Sequence, residues 1–184
     1  LSPTSKKTPI GDKNLVLVGF MGTGKSTVGK ILARETGRRF FDTDRLIEGK
    51  EGRTIAEIFS AAGEAAFRDI ESAVIAELGQ VARAVISTGG GALLRDENVR
   101  ALSANGFLVC LRSSPESILR RTARAGNRPL LSGGSSDRLE QIKTLLAERR
   151  DRYGLADLTI DVSGKPSTRA AEEILSRVDF ERAG

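Results

Sequence analysis

The chain contains no histidine and only one cysteine among its 184 residues. Without His, neither an imidazole base nor a His-ligated metal is available. Any proton acceptor must then be a carboxylate, Lys, Tyr, Cys or the substrate itself. Cys110 alone cannot close an internal disulfide, which points to a reducing compartment, and a cytoplasmic location is expected. No apolar run approaches the ~18 to 20 residues that would span a bilayer, so no membrane partner is expected. The opening LSPTSKKTPIGDK lacks the apolar centre of a signal peptide and reads as a flexible tail over residues 1–13. Aromatic residues are few, seven Phe and one Tyr, with no interleaved basic–aromatic tract on which bases could stack. The 29 Lys+Arg against 24 Asp+Glu suit an anionic ligand but are too dispersed to argue for nucleic acid.

What is present is an alternation of strands and helices in a length that fits one domain, residues 14–184, with no internal repeat. NLVLVGF is an apolar run feeding GFMGTGKSTVGK, after which Val28, Ile31 and Leu32 keep helical spacing up to a stop at Gly37. RRFFDTD reads as a second strand. Thr54 to Glu57 has capping-box form for a short helix, and a longer helix is expected from about Glu64 to Leu78. AVIST is a third strand and RDENVRALSANG a helix closed by Gly106. FLVCLR is a fourth strand, followed by a helix with Ser114 as N-cap and Pro115 at its first position. ARAGNRPLLSGGSSD has no periodicity. A long helix from about Asp137 to Tyr153, the strand LTIDV and a final helix with Ala170, Ala171, Ile174, Leu175 and Val178 on one face complete the chain. The pattern predicts an α/β domain with a mainly parallel sheet covered on both faces.

Gly19, Gly24, Lys25 and Ser26 match G-x-x-x-x-G-K-[ST] between a strand and a helix, the context a phosphate-cradling loop needs. Gly22 and Gly24 admit strained dihedrals, so backbone N–H groups can face phosphate oxygens. Lys25 can reach the β- and γ-phosphates, and the Ser26 hydroxyl can ligate Mg²⁺. The loop identifies a nucleoside triphosphate but not the acceptor of its phosphate. Asp42 and Asp44 end the second strand, and in extended chain their spacing would turn both to one face. The plainer alternative is helix capping by Asp44 with Asp42 solvated. Arg68 and Glu71 could form an ordinary intrahelical ion pair or grip a substrate carboxylate. Three successive glycines in STGGGA are wasteful unless the backbone must pass close to something. Arg121, Arg124, Arg128, Arg149, Arg150 and Arg152 could be a solvated basic face or supply cations that close over phosphates.

In order and spacing, GFMGTGKSTVG, DTD, FRDIE, STGGGA and RPLL resemble the shikimate kinase family, a nucleoside monophosphate kinase-like branch of P-loop folds, over about Asn14 to Ser176. The resemblance implies a three-layer fold with a five-stranded parallel sheet of order 2-3-1-4-5, a substrate-binding segment at about 44–78 and a lid at about 123–136. It implies transfer of the γ-phosphate of ATP to the 3-hydroxyl of shikimate, with Mg²⁺, in chorismate and aromatic amino acid biosynthesis. The nucleotide would meet Gly22, Thr23, Gly24, Lys25, Ser26 and Thr27, with Arg121 and Pro166 about the adenine and Arg128 as the lid arginine on the phosphates. Ser26 would hold Mg²⁺ directly and Asp42 through its outer shell. Lys25, Asp44 and Arg128 would be the catalytic group, Asp44 also hydrogen-bonding the ring hydroxyls. Arg68 and Arg149 would clamp the substrate carboxylate, with Glu71 bracing them, Gly89, Gly90 and Gly91 beneath and Phe59 and Phe67 as an apolar wall. The family often shows R-x-P-L-Y where this chain has RRDRY, so Arg150 competes with Arg149 for the clamp. A monomer is expected. A gluconate or nucleotide kinase of the same fold is the main alternative.

Overall fold

The computed structural model describes residues 7–123 and 134–181. Five strands form one parallel sheet: β1 (Asn14–Val18), β2 (Arg39–Asp42), β3 (Ala84–Ser87), β4 (Gly106–Arg112) and β5 (Leu158–Asp161). Their spatial order is 2-3-1-4-5, with β1 at the centre between β3 and β4. Every residue of β1 is buried. A central parallel strand is covered on both faces, which is why NLVLV reads as one apolar run instead of an alternating one. Its side chains still alternate. Leu15 and Leu17 pack with α1 (Lys25–Thr36) and α8 (Ser167–Arg177) through Val28, Leu32, Ala170 and Ile174. Val16 and Val18 pack on the opposite face with α3 (Ile55–Leu78) and α4 (Asp96–Ala104) through Ile58, Phe67, Ile75 and Leu102. The result is the expected three-layer α/β arrangement.

α2 (Thr43–Glu51) follows β2 without a connecting loop, and α5 (Pro115–Ala123) starts at the Ser114 N-cap, whose Oγ accepts from the Ser117 N–H at 3.3 Å. The capping box closes as its sequence predicts. The Glu57 N–H donates to Thr54 Oγ1 at 3.2 Å, and the Thr54 N–H donates to Glu57 Oε2 at 2.7 Å. The two helices expected on either side of Gly63 run together as α3, kinked at Gly63 (φ 78°, ψ 177°), a backbone state open to glycine alone.

Three expectations change. The long C-terminal helix is interrupted: α6 (Ser135–Glu148) ends at Arg149 (φ −96°, ψ 2°), and α7 (Arg150–Tyr153) resumes after it. Gly106 does not cap α4 but opens β4, where a Cβ would lie 2.1 Å from the Leu102 carbonyl oxygen. The stretch read as a loose tail is tied down from residue 7 onward. Thr8–Pro9 pairs in parallel with Val178–Asp179, and Ile10 is 4% exposed within the core. Buried Arg38 secures this corner by donating to the carbonyls of Gly11, Lys13 and Phe180. Burial of the Ile10 side chain, worth roughly 1.5–3 kcal/mol, offsets part of the ordering cost of the segment, about 1–2 kcal/mol per residue. Among the described residues, no helix is long and apolar enough to cross a membrane.

Candidate active site

The C-terminal end of β1 delivers the chain into the glycine loop, and α1 begins immediately after Gly24, which holds φ 92° at the N-cap. The first turn of α1 carries no acidic residue, so the positive end of its dipole is left to an external anion. Lys25 is 7% exposed, and its ammonium donates to the carbonyls of Gly19 at 2.7 Å and Phe20 at 2.9 Å. Ser26 and Thr27 face outward, the Ser26 Oγ lying 3.4 Å from Ser87 Oγ. These groups line a cavity of about 420 Å³ with Gly22, Gly24, Asp42 and Asp44. Thr23 turns away from it, its hydroxyl donating to the Phe20 carbonyl at 2.8 Å.

Arg121 and Pro166 line the same cavity from its far side. The Arg121 guanidinium also ties two loops together. It donates to the Thr23 carbonyl at 3.2 Å, and to those of Val162 at 3.2 Å and Lys165 at 3.0 Å. Arg124 and Arg128 lie outside the described residues.

Asp42 and Asp44 do not share an extended face. Asp42 is the N-cap of α2, accepting from the Arg45 N–H at 3.3 Å, and Asp44 belongs to the first helical turn. The chain turns helical two residues earlier than the strand pattern indicates, because Asp42 makes a good cap. Both carboxylates still reach the phosphate cavity. Asp44 also borders a second, smaller cavity of about 80 Å³ lined by Phe59, Phe67, Arg68, Glu71, Arg149 and the Gly89–Gly91 run. The Phe59 and Phe67 rings meet at 4.7 Å between centroids.

Arg68 and Glu71 form the pair their spacing predicts, at 2.6 Å, and Glu64 adds a second contact at 3.0 Å. The pair is buried against the site, Glu71 having no exposed surface, unlike a solvated surface bridge. Burial pushes the Glu71 carboxyl above its ordinary range, the neighbouring Asp44 charge adds to this, and Arg68 opposes it. Burial alone would lower the Arg68 value, but Glu71 and Glu64 outweigh that and hold the guanidinium firmly charged. Glu71 Oε1 is buried with no hydrogen-bond partner. Arg149 is 5% exposed, lines this cavity, stacks 5.4 Å from the Phe20 ring and donates to the Gly90 carbonyl at 3.3 Å. Arg150 is exposed and borders a different cavity.

The glycine run has a specific steric reason. A Cβ at Gly91 would lie 2.4–2.6 Å from the Arg68 guanidinium. At Gly89 it would lie 2.6 Å from Glu71 Oε1 and 3.0 Å from Asp44 Oδ1, and at Gly90 3.0 Å from the Met21 nitrogen. Each glycine makes room for a different wall of the site, so one or two would not do.

Residues that sequence reasoning passed over complete this floor. The Gly89 N–H donates to Thr43 Oγ1 at 2.9 Å, and the Tyr153 hydroxyl donates to the Gly90 carbonyl at 2.7 Å. Thr43 stands between the two aspartates, and its position in DTD was the available signal. Tyr153 carried one as the last residue of RRDRY, matching the tyrosine of R-x-P-L-Y. Lys165 and Ser167 also border the phosphate cavity.

No cluster of three or more Asp, Glu, His or Cys side chains among the described residues could cage a metal. A hydroxyl and one nearby carboxylate, Ser26 and Asp42 bordering one cavity, nonetheless fit Mg²⁺. That ion keeps most of its waters and takes its remaining ligands from phosphates.

The shikimate kinase family profile matches residues 21–179. The chain belongs to the shikimate kinase family. It is 45% identical over 170 residues to the shikimate kinase of Thermodesulfovibrio yellowstonii, covering 92% of this chain and 96% of that protein. The crystallised shikimate kinase from Acinetobacter baumannii in complex with shikimate superposes with a TM-score of 0.85 at 39% identity, covering 90% of this chain and 92% of the other. A gluconokinase from Sinorhizobium meliloti has a TM-score of 0.55 at 20% identity, over 90% of this chain and 91% of that one, which speaks to the fold alone.

Proposed function

We propose that this shikimate kinase family member transfers the γ-phosphate of ATP, with Mg²⁺, to the 3-hydroxyl of shikimate, giving shikimate 3-phosphate and ADP. The observation that carries the reading is the position of Asp44, which borders both the phosphate cavity and the smaller cavity beside it. A hydroxyl held in the second cavity is thereby presented to a phosphate held in the first.

In this reading the residues divide the work. The loop amides around Gly22 and Gly24, together with Lys25, hold the triphosphate, and Arg121 with Pro166 borders the nucleoside. Arg68 and Arg149, the two guanidiniums lining the small cavity, take the substrate carboxylate, and Glu71 holds Arg68 in place. Phe59 and Phe67 cover the apolar face of the ring. Asp44 accepts a hydrogen bond from the reacting hydroxyl and receives its proton as the new O–P bond forms and the bond to the ADP oxygen breaks. Phosphoryl transfer asks mainly for alignment and charge stabilisation, so a carboxylate base suffices in a chain without His. When bound, Mg²⁺ supplies charge neutralisation at the phosphates, with Ser26 and Asp42 as its protein partners.

The chain from residue 8 onward serves as one catalytic domain, with about 44–78 as the substrate segment and a lid bearing Arg128 at about 123–136, most of which lies outside the described residues. The enzyme works as a cytoplasmic monomer, in keeping with its single buried thiol. The test is ATP turnover with shikimate, gluconate and nucleoside monophosphates offered side by side. Turnover confined to shikimate is expected; turnover independent of shikimate, or none with it, overturns the assignment.

A further inference from the structure

Behind the glycine loop, between the sheet and the α6–α7 break, lies a third cavity of about 610 Å³. It is larger than the two already described, and among the described residues it shares no lining residue with either. Its volume falls within the roughly 300–1,000 Å³ of small-molecule sites. Its lining includes Tyr153 and Leu146, both half-buried, with Phe20 and Leu111 fully buried behind them.

The charges on its lining have one sign. Arg112 and Arg150 contribute, and no carboxylate among the described residues does. Arg112 has one long contact to Asp161, at 3.5 Å with both side chains well exposed, which is worth little. The cavity wall also includes Ser113, 5% exposed, whose Oγ is buried with no hydrogen-bond partner.

We propose that this cavity is a second binding site, for a small aromatic carboxylate. The Tyr153 ring and the Leu146 side chain offer apolar surface to an aromatic body. The guanidiniums meet the carboxylate, with which Arg pairs readily. The Ser113 hydroxyl, with almost no accessible surface, lies behind this wall and takes no part in the contact. Neutral aromatics lack the partner for Arg150 and bind less well. The site touches the catalytic floor only through shared walls: the Phe20 ring lies under Arg149, and the Tyr153 hydroxyl holds Gly90.

The chain has one tyrosine and no tryptophan, so the Tyr153 ring gives an isolated NMR report from this wall. Naphthalene-2-carboxylate is titrated into the full chain saturated with shikimate and Mg·ADP, by calorimetry and by NMR of tyrosine-labelled protein. One-to-one binding with a shift of the Tyr153 ring signals is expected. Binding of naphthalene-2-carboxamide, or of the carboxylate to Arg150→Gln, should be roughly tenfold weaker. Ala147→Trp, which fills the cavity from α6, should abolish it. Shikimate turnover by Arg150→Gln should stay unchanged, which shows that the variant is folded. The proposal is overturned by no binding up to roughly millimolar carboxylate. Equal binding of the amide, or binding that vanishes when the active site is filled, overturns it as well.

Discussion

The hydroxyl of Tyr153 donates to the carbonyl of Gly90 at 2.7 Å, joining residues 63 positions apart. Arg149 donates to the same oxygen at 3.3 Å. One carbonyl thus sets the height of the glycine run relative to Arg149. Tyr153→Phe should cost only about 0.5–1.5 kcal/mol in a urea titration, since Arg149 still satisfies the oxygen. It should raise the KM for shikimate several-fold with the KM for ATP nearly unchanged. Equal loss on both substrates would make the bond a general structural tie.

Gly91→Ala places a methyl group against a guanidinium fixed by Glu71 and Glu64, which leaves Arg68 little room to retreat. Steady-state kinetics should show the KM for shikimate rising about tenfold or more, because displacements near 1 Å are enough to disrupt a positioned site. Gly49→Ala is the contrasting case. Gly49 lies inside α2 with nothing within 4 Å of its Cβ position, so the change should raise stability by about 0.5–1 kcal/mol without affecting kinetics.

Asp44→Asn keeps the shape of the first turn of α2 and removes the proposed proton acceptor. Phosphoryl transfer should fall by roughly 10²-fold or more, while nucleotide affinity measured by calorimetry stays within about threefold of the parent. Joint loss of binding and transfer would make Asp44 a structural residue.

Glu71 gives a pH dependence whose sign can be worked out. Burial raises its folded carboxyl above the ordinary 4.5. The folded state therefore keeps a proton that the unfolded chain releases, and this contribution to stability fades as pH rises from 4.5 through the raised value. Glu71→Gln has no such titration. Unfolding free energies of the two proteins, measured across pH 4–8 (a range of about four units), should show the wild-type value falling relative to the variant as pH increases. A constant offset would count against it.

The fold was largely legible because its signals are local. NLVLV announces a strand buried on both faces, and Thr54, Ser114 and Gly37 mark helix ends through their own hydrogen bonds and dihedrals. The phosphate loop was legible for the same reason. Asp44 was misplaced because a carboxylate at a strand end and one in the first turn of a helix have the same sequence neighbourhood. The break at Arg149 was not readable, since no Gly or Pro stands there. Thr43 and Tyr153 were missed because their partners, Gly89 and Gly90, are distant in sequence and the bonds go to backbone atoms. The triple glycine was correctly read as a close approach, but the groups approached belong first to the protein's own walls.

The parallel pairing of Thr8–Pro9 with Val178–Asp179 has a consequence for biogenesis. During translation Thr8–Pro9 emerges about 170 residues before the strand that completes that pairing. The central strand β1 likewise waits for β4, about ninety residues downstream, before both its edges are covered. Parallel topology of this kind favours late, concerted closure over sequential growth. Apolar Ile10 and the NLVLV strand stay unsatisfied through most of translation, so the nascent chain is the species in most need of a chaperone's shelter.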